Sequence, residues 1–220
     1  MQAKVIKINP NFPNAQAIKE AASMIAGGKL VAFPTETVYG IGANFLDTKA
    51  VDRLYEVKHR PKNKPFSVLI ADTRALDTLG VILSERARNV IKKFWPGPLT
   101  IVAFNDKKEK IGVRMPNSRV ALDLIKESRV PIAAPSANIS GEKPALSGED
   151  VISSMQDTVD MILDGGAVEI GVESTVLDVS ESPFKVLREG AIEKKALLAD
   201  YHVLLYALVI AAGASWQKAL

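Results

Sequence analysis

The sequence contains no cysteine and only two histidines, His59 and His202. A chain without thiols cannot build a disulfide framework, a thiolate zinc site or a cysteine nucleophile. Two imidazoles are too few for a histidine-rich metal centre. The common nucleotide loops are missing too. Gly27-Gly-Lys29 has neither the spacing nor the hydroxyl of a Walker phosphate loop, and no dinucleotide glycine fingerprint occurs. Residues Met1 to Pro10 hold no signal-peptide core. No long lysine tract or aromatic-rich basic motif marks a nucleic-acid arm. Repeats, low-complexity tracts and a convincing inter-domain linker are likewise absent, and the expectation is a cytoplasmic protein.

What is present is ordinary for a soluble fold. The 220 residues are 47% hydrophobic and 24% charged, enough for one large domain with a real core, or one domain with a small appendage. A net charge of +3 permits a polyanionic partner such as a nucleotide or RNA without requiring one.

The organising stretch runs from Lys29 to Gly42, Lys-Leu-Val-Ala-Phe-Pro-Thr-Glu-Thr-Val-Tyr-Gly-Ile-Gly. Leu30 to Phe33 read as a buried strand, and Pro34 stops pairing just before the hydroxyls of Thr35 and Thr37. Gly40 and Gly42 then let backbone approach a ligand closely. Upstream, Val5, Ile6 and Ile8 form a first strand. Asn14 caps a helix with Ile18, Ala21, Ala22 and Ile25 on one face, ended by Gly27-Gly28. Downstream, Thr48 caps a second helix that must end near Lys58, because Pro61 biases Arg60 away from helical geometry.

Pro65 to Ala71 reads as a strand and Ser84 to Phe94 as a helix. Leu99 to Phe104 and Ile111 to Met115 form a hairpin. Ser118 caps a helix with Val120, Leu122 and Ile125 as its apolar positions. A strand then breaks at Pro135, Ser147 opens a short helix through Met155, and Met161 to Leu163 form a strand. Val172 to Val179 and Phe184 to Arg188 make the last strand pair. Strands alternating with helices, plus hairpins, predict an α/β fold: a twisted, open, mixed sheet with flanking helices. The domain expectation is a catalytic domain over 1–192 and an apolar helical tail over 193–220. The tail approaches a membrane span in length, but Asp200 and the missing flanking pattern favour a helix packed on protein, so no membrane partner is expected.

Four polar groups fall at strand or helix ends: Thr35/Thr37, Lys58/Arg60, Ser136/Asn138 and Ser174/Arg188. Strand ends on one edge of a sheet converge in space, so these groups are expected to line one cleft. Cationic and neutral donors without an obvious nucleophile, metal cluster or acid–base dyad suit an anionic ligand and catalysis by positioning and charge neutralisation. Each group alone also has a structural explanation, as turn-formers, helix ends or edge charges. Residue chemistry by itself reaches an anionic-ligand enzyme or binder.

Read together, Phe-Pro-Thr-Glu-Thr-Val-Tyr-Gly-Ile-Gly, Lys58-His-Arg60-Pro, Ala-Pro-Ser136-Ala-Asn138-Ile-Ser-Gly, Glu-Ser-Thr-Val and Leu-Arg-Glu-Gly resemble the YrdC-like threonylcarbamoyl-AMP synthases. The match runs from about Ile18 to Gly190, in order. The resemblance implies an enzyme that joins L-threonine, bicarbonate and ATP into threonylcarbamoyl-AMP, releasing pyrophosphate, with Mg²⁺ accompanying the nucleotide. The product feeds a modified adenosine beside the tRNA anticodon, and partner proteins perform the transfer. By motif, Lys58, Arg60, Ser136 and Asn138 (the KxR and SxN signature), together with Arg188 and Lys110, are implied on the ATP side. Thr37, Arg114, Ala134 and Ser174 are implied on the threonine side, with Arg114 suited to the amino-acid carboxylate.

The sequence departs from the family in two places. Leu69 stands where longer members carry a histidine near the threonine, and Pro144-Ala-Leu-Ser147 replaces a Ser-Pro-Thr. Longer members add a linker and a second, Rossmann-like domain; too few residues follow Arg188 for that, so the chain resembles the short form. Two other readings are weighed against the synthase. One is a non-catalytic module binding double-stranded RNA or tRNA through a basic concave face, which does not explain Thr37 and Ser174. The other is a carbamoyl-nucleotide enzyme of hydrogenase maturation, which needs acylphosphatase and zinc-finger regions absent here.

Overall fold

The structure is a computed structural model that describes residues 2–197. The tail expected over 193–220 therefore lies, from residue 198 on, outside the described residues. Along the chain come β1 (Lys4–Lys7), α1 (Ala15–Ala26), β2 (Val31–Phe33), β3 (Gly40–Asn44), α2 (Thr48–Val57) and β4 (Val68–Leu69). Next are α3 (Ala75–Thr78), α4 (Glu85–Phe94), β5 (Leu99–Phe104), β6 (Lys110–Arg114), α5 (Arg119–Ser128) and β7 (Ile132–Ala133). The last are α6 (Gly148–Met155), β8 (Met161–Asp164), β9 (Thr175–Asp178) and β10 (Lys185–Arg188).

The strands join in the order β1-β8-β2-β3-β7-β4-β6-β5-β9-β10, a mixed sheet that is open at both edges. Local chemistry sets most element starts. The Asn14 side chain accepts from the Gln16 and Ala17 amides, Ser84 and Ser118 each accept from the amide three residues on, and Ser147 and Asp150 form a capping box.

Period-two alternation decides which helices cover which face. In β2, Val31 and Phe33 pack with α1 and α5, whereas Ala32 and the preceding Leu30 pack with α2 and α6. Farther along the sheet, Leu99, Ile101, Ala103, Ile111 and Val113 pack against α3 and α4 through Leu76, Ala87 and Ile91. Alternation turns the residues between them, Thr100 and Arg114 among them, to the opposite face. That face carries the cleft described below.

Several local expectations are corrected. Asp47, not Thr48, caps α2: its carboxylate reaches the Lys49 and Ala50 amides, and Thr48 becomes the first helical residue. The stretch Gly40–Asn44 is a strand, paired antiparallel with β2. Gly42 lies in the core rather than at a ligand; a Cβ there would come within 2.9 Å of Phe33 and of Ile132. Of Pro65 to Ala71, only Val68 and Leu69 pair, wedged between β6 and β7. In α5 the core takes Val120, Ala121, Leu124 and Ile125, and Leu122 is only half-buried. The strand expected from Val172 begins at Thr175.

Candidate active site

A cleft opens on the face opposite α3 and α4. Its walls include Thr35, Thr37, Arg60, Ser67, Leu69, Thr100, Arg114, Ala134, Ser136, Glu173, Ser174 and Arg188. Seven of the ten residues expected at the site are thus gathered from six separate stretches of chain. Lys58, Asn138 and Lys110 do not line it.

The β2–β3 turn supplies one wall. Pro34 ends pairing, and the Thr35 hydroxyl then organises the turn: it donates to the Val38 carbonyl at 2.6 Å and lies 2.9 Å from the Thr37 hydroxyl. The carbonyls of Glu36 and Thr37 accept from the Ile170 and Gly171 amides, so a distant segment clamps the tip. Beneath it, the Tyr39 hydroxyl donates to the Gly166 carbonyl and accepts from the Gly165 amide. Burial pushes that phenol up to about 12, keeping it a neutral structural donor.

Arg114 enters from the end of β6. Its Nε donates to the Gly97 carbonyl at 3.1 Å, and its Nη2 lies 2.8 Å from Glu36 Oε1. Both side chains are buried (8% and 4% exposed). The contact is close but out of line for a hydrogen bond, since neither Glu36 oxygen nor Arg114 Nη2 has one among the described residues. Glu36 is the principal residue that sequence reasoning missed. Its signal was a carboxylate between two hydroxyls in an otherwise apolar run.

The β9–β10 pair brings Ser174 and Arg188 into direct contact. The Arg188 guanidinium donates to the Ser174 carbonyl (2.9 Å) and hydroxyl (3.2 Å), and its Nη1 lies 3.0 Å from Glu173 Oε1. The Ser174 hydroxyl also meets Thr100 Oγ1 at 2.8 Å. Thr100 and Glu173 were not anticipated; Glu173 was signalled only by its place beside Ser174.

The third wall is the corner after α2. Arg60 is fixed by Nε donating to the Lys64 carbonyl and by stacking over Phe66, its Cζ 5.3 Å from the ring centre. Ser136 sits opposite, where Gly40 and Ser136 form an isolated bridge. Leu69 presents an aliphatic wall. Lys110 lies off the lining, paired with Asp178 at 2.9 Å. Lys58 is 1% exposed and donates to the Ser136 and Asn138 carbonyls and to Asn138 Oδ1.

Three guanidiniums thus face a space bordered by hydroxyls, with one carboxylate on the wall. Such a site can neutralise and orient a polyanion. Among the described residues, no three His, Cys, Asp or Glu side chains cluster as a metal site. An all-protein magnesium cage therefore does not fit. A magnesium ion that takes only one or two protein carboxylates and the rest of its ligands from a bound anion or water would be compatible with this lining.

A model of the Sua5/YciO/YrdC family, described as telomere recombination, matches residues 23–190. The threonylcarbamoyl-AMP synthase of Pyrococcus abyssi is 46% identical over 80% of this chain and 54% of its own length. The threonylcarbamoyl-AMP synthase of Bacillus subtilis is 41% identical over 86% of this chain and 59% of its own. The chain therefore spans little more than half the length of these relatives. The crystal structure of P. abyssi Sua5 complexed with L-threonine superposes with a TM-score of 0.81 at 44% identity, covering 84% of this chain and 57% of that one.

Proposed function

Because the chain belongs to the Sua5/YciO/YrdC family, we propose that it is an L-threonylcarbamoyladenylate synthase, a nucleotidyltransferase joining L-threonine, bicarbonate and ATP. The observation that carries this is the convergence of Thr37, Arg60, Arg114, Ala134, Ser136, Ser174 and Arg188 on one cleft. The likeness to relatives so named, and to one solved with threonine, supports the choice of substrates.

In this reading the threonine amine attacks carbon dioxide and gives up a proton to solvent, or attacks bicarbonate with loss of water, and an oxygen of the resulting carbamate then attacks the α-phosphorus of ATP. The bond from that phosphorus to the bridging oxygen breaks, and pyrophosphate leaves. Arg60 and Arg188 offset the charge passing to the leaving group, and the site's main contribution is to hold reactants in line. Lys110 and the buried Lys58 and Asn138 belong to the ATP side. Arg114, held by Glu36 and Gly97, faces the threonine carboxylate, while Thr37 and Ser174 offer hydroxyls and Ala134 close-packed backbone. Magnesium enters with the triphosphate and supplies further charge neutralisation there.

The product would be consumed by threonylcarbamoyl-transferring partner proteins acting on tRNA. No helix among the described residues is long and apolar enough to cross a membrane, and we place the protein in the cytoplasm. Incubation with labelled bicarbonate, threonine and ATP should yield threonylcarbamoyl-AMP carrying the label, read by mass spectrometry. Unlabelled nucleotide products alone would overturn the assignment.

A further inference from the structure

The two signature pairs, Lys58/Arg60 and Ser136/Asn138, do not act alike. Arg60 and Ser136 line the cleft, whereas Lys58 and Asn138 lie behind it. An ammonium has three donors and no acceptor. All three of Lys58's are engaged: the Ser136 carbonyl at 2.6 Å, the Asn138 carbonyl at 2.7 Å and Asn138 Oδ1 at 3.0 Å. The Lys58 carbonyl also accepts from the Ser140 amide at 2.9 Å. Main chain and side chain therefore grip the same turn from both sides.

Asn138 relays the grip. Its Oδ1 accepts from the Ser136 hydroxyl at 2.7 Å as well as from Lys58, while its Nδ2 donates to the Glu142 carbonyl at 2.7 Å. With donors on one side and an acceptor on the other, the carboxamide has one orientation, and through it the Ser136 hydroxyl has one direction. The anchor itself is firm: Lys58 terminates α2, whose Ala50 and Leu54 are buried. Burial pushes the ammonium down to about 8, the Arg60 charge pushes it the same way, and Glu173 opposes them.

We propose that Lys58 is a positioning residue: it holds the Ser136-Ala-Asn138 turn, and through it the Ser136 hydroxyl, against the cleft without itself touching the nucleotide. The proposal rests on the reading of the cleft as an ATP site. Within each pair one residue builds the wall and the other faces the ligand. A lysine that contacted phosphate would instead have to release protein carbonyls inside a buried corner, each left unpaired at a cost.

Hydrogen exchange in the nucleotide-free protein tests the clasp. Lys58→Met keeps the apolar stem and should speed exchange of the Ala137 and Ser140 amides about tenfold or more. Kinetically, Lys58→Met and Ser136→Ala should each raise the KM for ATP. The double variant should exceed the larger single effect by no more than about twofold, as expected of residues acting through one element. Unchanged loop exchange with multiplying KM effects would make Lys58 a ligand contact and overturn the proposal. Should Lys58→Met fail to fold, the wild type decides: the Lys58 ammonium resonance should stay in place when ATP saturates the protein, and movement as large as that of Arg60 contradicts the clasp. Failure of the wild type to bind ATP in calorimetry would sink the nucleotide reading instead, leaving the exchange experiment to judge the clasp.

Discussion

Glu36 and Arg114, 78 residues apart in sequence, meet at 2.8 Å with both side chains buried beside the cleft. The pair joins the β2–β3 turn to the end of β6 and limits where the guanidinium can point. A buried pair is not itself strong evidence of stability, but removing one partner strands the other's charge. Glu36→Ala should therefore lower the unfolding free energy by about 3–5 kcal/mol, measured by urea denaturation. Adding Arg114→Ala to it should recover part of the loss; a full sum of the two single effects would show that the residues are not coupled.

Arg60 and Arg114 should separate in kinetics. Arg60→Ala is expected to reduce ATP-dependent turnover by about 10²-fold or more while circular dichroism shows the fold intact. Arg114→Ala should chiefly raise the KM for threonine. Full activity in the first variant, or an unchanged threonine KM in a folded second one, contradicts the roles given to them.

Much of this was legible in the sequence, for reasons that can be named. Asn14, Ser84, Ser118 and Ser147 each cap a helix through their own side chain, a signal contained within three residues. The grouping of Ser174 with Arg188 became a direct hydrogen bond because a strand pair brings the two together. What was hidden is non-local or compositionally weak. Gly40-Ile-Gly-Ala-Asn44 has poor strand propensity, and only tertiary packing makes it a strand, with Gly42 giving room to Phe33 and Ile132. Asp47 and Thr48 are both good caps, and the carboxylate won. No spacing rule could reveal that Glu36 faces Arg114, or that Lys58 points its amine into the Ser136–Asn138 turn and away from the cleft.

The depressed Lys58 amine has a signature in stability. Its ordinary value is 10.5 and burial, aided by Arg60, brings it to about 8 in the native protein. Between those values the unfolded chain holds a proton on this group that the native protein lacks, so its contribution to stability rises with pH across that window. The difference in unfolding free energy between wild type and Lys58→Met should shift in favour of the wild type from about pH 8 to 10.5. A constant difference there would show that the amine titrates normally.

The central claim is that one cleft joins three substrates, and pyrophosphate release with each omitted in turn tests it most directly. The account predicts release only when ATP, threonine and bicarbonate are all present, and its loss in Arg60→Ala. Release from ATP alone, undiminished without threonine or bicarbonate, would describe a nucleotide hydrolase and contradict the account.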